Sequence, residues 1–134
     1  MDTDTLVEDR IDDGQKLVEE LRQRGFNVAA AFWLKASENG KWHFYIVSPE
    51  VDAAGIINAY RQLHPLMRTV PQTFSINPLE VKLIGPSNPI ARDVLAILSR
   101  APGPRVSPIR WNGIRLGNTS IEEAYLYPLP VTTP

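Results

Sequence analysis

The stretch VAAAFWLKASENGKWHFYIVS, Val28 to Ser48, decides how this chain folds: two apolar runs joined by Glu38-Asn39-Gly40. Asn-Gly between β-rich runs signals a hairpin but admits two registers. A two-residue loop at Asn39-Gly40 pairs Glu38 with Lys41. It mixes both faces, with Phe32, Leu34, His43 and Tyr45 on one and Trp33, Lys35, Trp42 and Phe44 on the other. A three-residue loop with Gly40 at positive φ, forming a bulge, pairs Ser37 with Lys41 instead. It gathers Val28, Ala30, Phe32, Leu34, Ala36, Trp42, Phe44 and Ile46 on one face. The other face then sets Trp33 opposite Tyr45 and Lys35 opposite His43. A slip of one residue sends every side chain to the opposite side, so the register with the clean partition is expected.

Upstream of the hairpin, Thr5 to Arg24 reads as a helix, with Leu6, Val7, Ile11, Leu17, Val18 and Leu21 on one stripe. Thr5-Leu6-Val7-Glu8 matches a capping box, and Gly25 supplies the stop after the C-cap. Asp12-Asp13-Gly14 interrupts the pattern, so residues 1–13 are expected to fray or, over the first ten, to form a separate turn. Downstream, a second helix opens after Ser48-Pro49 with Asp52 as N-cap and Ile56, Ile57, Tyr60 and Leu63 as its apolar face. His64-Pro65 ends it, because a residue before proline is pushed out of the α region. Residues 65–78 form a long connection, with a short extended piece around Thr73–Ile76. Leu79 to Gly85 is a third strand.

Asn88-Pro89, an N-cap followed by a first-turn proline, opens a third helix to about Arg100. Pro102-Gly103-Pro104 closes it. Val106 to Trp111 and Ile114 to Leu116 then read as a second hairpin turning at Asn112-Gly113. That register sets Arg110 directly opposite Arg115. A last strand runs from Glu122 to Tyr127, and residues 129–134 are a loose tail. The order helix, hairpin, helix, strand, helix, hairpin, strand does not alternate strictly. It implies one α+β domain over residues 1–134, with a mixed or mostly antiparallel sheet of about five to six strands covered by three helices.

Composition agrees with a single globular domain: 134 residues, 43% apolar and 22% charged. With no cysteine there is no disulfide, thiol nucleophile or cysteine metal site. No apolar run approaches membrane-spanning length and the start lacks the regions of a signal peptide, so a cytoplasmic location without a membrane partner is expected. Charge is uneven. Residues 1–20 hold eight acids against two bases, while Arg22 to Arg115 holds twelve bases against five acids. These charges are scattered and read as a solvated or mutually neutralising surface.

Few residues are arranged for chemistry. There is no G-x-S-x-G and no phosphate-binding glycine loop, and His43 and His64 have no serine in a recognisable arrangement. Glu80-Val81-Lys82, inside an apolar strand, resembles the E-x-K of the PD-(D/E)xK nuclease superfamily. The resemblance covers three residues. It implies a divalent metal held by Glu80 with a second acid, Glu50 or Asp52, and Lys82 beside the attacking water.

Two surfaces suit binding. On the hairpin, Trp33, Lys35, His43 and Tyr45 combine aromatics with a cationic fringe, which serves as a protein interface or a stacking platform unless a second small core covers them. Across the second hairpin, Arg110 and Arg115 either clamp an anion or are relieved by Glu122 or Glu123. The reading is a non-enzymatic module without cofactor or metal that binds a protein partner or a second copy of itself. The alternatives are the metal-dependent nuclease and a nucleic-acid binder without chemistry.

Overall fold

In a computed structural model, described for residues 8–38, 40–68, 81–99 and 109–127, four helices enclose one five-stranded mixed sheet. The elements in chain order are α1 (Glu8–Gln23), β1 (Ala30–Ala36), β2 (Trp42–Val47), α2 (Pro49–Ala54), α3 (Ile56–Met67), β3 (Val81–Ile84), α4 (Pro89–Ser99), β4 (Ile109–Leu116) and β5 (Thr119–Leu126). The strands lie in the order β3-β2-β1-β5-β4. Only β2 and β3 run parallel, and α2 with α3 makes the crossover that a parallel pair needs. The α+β class holds, with one more helix than expected and a single closing hairpin in place of a hairpin plus a strand.

The sheet has a core on each side, and β1 lies in the middle with Ala30 to Lys35 all buried. One core joins Ile11, Leu17 and Leu21 of α1 and Ala59, Leu63 and Met67 of α3 to Trp33, Phe44, Ile46 and Leu83. The other joins Ala91 and Val94 of α4 to Phe32, Leu34, Val47, Leu116, Ile121 and Leu126. This corrects the expected register. Trp33 pairs with Phe44, Phe32 with Tyr45 and Leu34 with His43, one residue away from the bulged pairing. Gly40 does take a positive φ (63°), but its N–H donates to the Ala36 carbonyl at 2.8 Å, closing a longer loop. Asn39 lies outside the described residues. A clean partition is favoured when one face meets water; a strand buried on both faces gains nothing from it.

Local signals at helix ends fare better. Phe26 N–H bonds Leu21 C=O at 2.9 Å and Gly25 N–H bonds Arg22 C=O at 3.1 Å, a Schellman end with Phe26 and Leu21 both in the core. Asn88 Oδ1 accepts from Ile90 N–H at 2.9 Å, capping α4 as expected. For α2 the cap is Ser48, whose Oγ accepts from Glu50 N–H at 3.2 Å, and not Asp52. Gly55 separates α2 from α3, and α3 runs through Pro65 to Met67 because Leu63, Leu66 and Met67 pack on the core. Helix α1 likewise continues through Gly14, where an added Cβ would overlap the Tyr127 hydroxyl. The capping box, residues 65–78 beyond Arg68, the piece at 73–76, Pro102-Gly103-Pro104 and the tail fall outside the described residues.

The closing hairpin turns at Gly117-Asn118, with Leu116 opposite Thr119, and not at Asn112-Gly113. Gly113 lies inside β4 at φ 66°, where the strand changes phase so that Trp111 and Ile114 both face α4. Beside it β5 carries one extra residue against β1, with Lys35 opposite Glu123 and Ala36 opposite Ile121. Tertiary contact explains the chosen turn. Gly117 N–H donates to Asp93 Oδ2 at 2.7 Å, and a Cβ at Gly117 would meet Pro89 Cβ at 2.9 Å.

Candidate functional site

The observed register divides the four expected hairpin residues between the two faces of the sheet. Trp33 is fully buried; its Nε1–H donates to Tyr127 Oη at 2.8 Å, and its ring lies under the Arg10 guanidinium, 4.9 Å away. Lys35, on the same side, is 7% exposed and its Nζ stands 3.3 Å from Glu122 Oε2. The covered alternative is therefore what the structure shows for this pair: it helps build the α1-side core. Burial costs a lysine its hydration, and the Glu122 carboxylate offsets part of that cost.

His43 and Tyr45 face the α4 side, both half-buried. The Tyr45 ring stacks on Phe32 at 5.4 Å and 10°. Burial pushes the Tyr45 hydroxyl pKa up, so it remains a donor at neutral pH. In the parallel pairing Lys82 stands opposite Tyr45, and it is exposed. Burial lowers the His43 pKa first, and the positive charges of Lys82 and Lys41 lower it further. The structure thus assembles His43, Tyr45 and Lys82 at one corner of the sheet. Lys82 was missed as their neighbour because nearly forty residues of chain separate it from Tyr45, and only the β2–β3 pairing joins them.

The residues of the nuclease resemblance are placed in part. Glu80 lies outside the described residues. Strand β3 is a direct neighbour of β2, but Asp52 is engaged by Ser87, accepting from its N–H at 3.1 Å and from its Oγ–H at 2.8 Å. Glu50 Oε1 accepts from Asn27 Nδ2 at 3.4 Å. Among the described residues no group of three or more His, Asp or Glu is placed to hold a metal ion.

Arg110 and Arg115 are not opposite each other. Arg110 faces Tyr125, with its guanidinium 5.0 Å from that ring, and Arg115 faces Ser120. Of the two acids expected to relieve them, Glu122 pairs with Lys35. Both arginines are exposed on β4, an edge strand, where cations discourage pairing with another chain.

One feature contradicts the expected face of the second helix. Ile56 and Ile57, assigned there to the apolar stripe, are 47% and 67% exposed at the start of α3. The buried stripe begins only at Ala59 and continues through Leu63 and Met67. Comparison with known proteins finds no family model, no curated protein and no solved structure that matches this chain. Among the described residues no helix is long and apolar enough to cross a membrane.

Proposed function

We propose that this protein acts by binding a protein partner, with Ile56 and Ile57 as the contact residues. The observation that carries the reading is their exposure, 47% and 67%, in a chain whose other large apolar side chains among the described residues are wholly or partly buried. Two adjacent isoleucines at a helix start form an apolar centre, and the exposed Asp52, Asn58 and Arg61 near them in sequence offer a polar rim. Covering both would return about 2–4 kcal/mol, enough to anchor a contact though not to make one alone. The Gly55 break and the Ser48 cap hold this corner in place.

The test is Ile56→Ser with Ile57→Glu. Neither side chain is in the core, so thermal unfolding should stay within about 2 °C of the wild type. Sedimentation of the purified protein, and capture from host extract with both proteins as bait, should show a partner held by the wild type and lost by the variant. A second copy of the chain is the other outcome sedimentation distinguishes. Identical capture and sedimentation by both proteins rejects the reading.

A further inference from the structure

The isoleucine pair continues into a charged stripe. Ile57, Arg61, His64 and Arg68 recur at spacings of three and four residues, so they share one side of α3, and all four are exposed. Ala59, Leu63 and Met67 face the core on the other side. The sequence holds no acid from Ala53 to Leu79. Among the described residues neither Arg61 nor Arg68 makes an ion pair.

Helix α1 contacts α3 on the same side of the sheet, and the buried stripes of both enter one core. Its charge has the opposite sign: Glu8 to Gln23 carries six acids against three bases. Asp12 and Glu19, seven residues apart and so two turns along one stripe, are exposed. Lys16 lies between them, which leaves that stripe with two acids to one base. No ion pair joins α1 to α3 among the described residues.

We propose that this two-helix face binds a second copy of the chain as an isologous dimer, with α1 of each protomer lying on α3 of the other. The inference rests on the reading of Ile56 and Ile57 as contact residues and names their partner. An acidic and a basic helix side by side are complementary to the same pair turned over by a two-fold axis running between them. Asp12 and Glu19 of each copy then oppose Arg61 and Arg68 of the other, and every such contact occurs twice. Covering the α3 stripe also covers Ile57. The chain thus carries the complement of its own basic helix, which the uneven charge along the sequence already shows: eight acids against two bases in residues 1–20, twelve bases against five acids from Arg22 to Arg115. Helices of 16 and 12 residues are about 24 and 18 Å long. That footprint lies at the small end for a specific complex, so the dimer is a weak one.

The test is sedimentation equilibrium of the full chain up to about 1 mM, beside two charge-reversed variants. One variant carries Arg61→Glu with Arg68→Glu, the other Asp12→Lys with Glu19→Lys. All four residues are exposed, so circular dichroism should match the wild type. The wild type should dimerise, and raising sodium chloride from about 50 to 500 mM should weaken the dimer several-fold. Each variant alone sets like charge on like and should associate at least about tenfold more weakly. Mixed one to one, the variants oppose acid to base at both copies of the contact, and a heterodimer of near wild-type affinity should form. A folding defect would not be repaired by mixing.

A wild type that stays monomeric at about 1 mM, a dimer that salt leaves unchanged, or folded variants that remain apart when mixed each overturn the inference. Its failure is separable from that of the isoleucine reading. A monomer that captures a host protein through Ile56 and Ile57 overturns the second copy and keeps those contacts. A salt-sensitive dimer retained by Ile56→Ser with Ile57→Glu supports the helix pairing and rejects the isoleucines.

Discussion

Tyr127 and Gly14 show how a residue that breaks a local rule can be tied to a distant one. Glycine inside a helix costs about 1 kcal/mol against alanine, yet α1 keeps one at position 14. The reason is the Tyr127 hydroxyl, which sits where a Cβ would lie, donates to Ile11 C=O at 2.6 Å and accepts from Trp33 Nε1–H at 2.8 Å. Burial holds this phenol well above the usual tyrosine pKa. Tyr127→Phe should therefore cost about 1–3 kcal/mol in urea unfolding, because it leaves the buried indole N–H without its acceptor; a loss of only a few tenths would contradict this. Gly14→Ala should also destabilise, against its helix propensity. In a double-mutant cycle with Tyr127→Phe it should cost at least about 0.5 kcal/mol less than alone, and additive effects would break the link.

Among the elements, α3 and β4 depart most from local expectation. Proline in a helix interior removes a hydrogen bond and strains the preceding turn by about 3 kcal/mol, so ending the helix at His64 was the reasonable inference. Burial of Leu63 and Met67 outweighs that cost, with Pro65 itself left exposed. Pro65→Ala should accordingly raise the melting temperature, with the gain reduced by about 0.4–1 kcal/mol from the freer unfolded chain. An unchanged or lower melting temperature would mean that the proline is not strained. In β4, Gly113→Ala should cost about 1–2 kcal/mol because the left-handed backbone there disfavours a Cβ. Asn112-Gly113 carries real conformational information, a positive φ, but that geometry lies within strand β4 and not at a turn. The cap at Asn88 and the Schellman end at Gly25 were legible because their partners lie within a few residues.

For the assembled sheet, having helices on both faces is the decisive fact. It removes the solvent face that a clean hydrophobic partition presupposes, and it splits Trp33 and Lys35 from His43 and Tyr45. It also gives stability a pH dependence. The folded-state pKa of His43 lies below its ordinary 6.5, by burial and by the charges of Lys82 and Lys41. The unfolded chain therefore binds the proton more readily, so this contribution is present above about pH 6.5 and is lost as pH falls through that value. Melts between pH 7.5 and about 5 should show stability dropping on acidification, with a shallower drop in His43→Gln. An equal slope in both proteins would place the acid sensitivity elsewhere.

From residues alone the α+β class, the hairpin at its approximate position, the end of α1 at Gly25, the start of α4 at Asn88, and the positive φ of Gly40 could be read. Each depends on neighbours a few positions away, through hydrogen bonds, proline geometry or the steric freedom of glycine. Tertiary structure decided the hairpin register, the turn at Gly117-Asn118, the burial of Trp33, the exposure of Ile56 and Ile57, and the meeting of His43 and Tyr45 with Lys82. These depend on which elements cover which face of the sheet. That choice is made by long-range packing between segments tens of residues apart, and no local pattern encodes it.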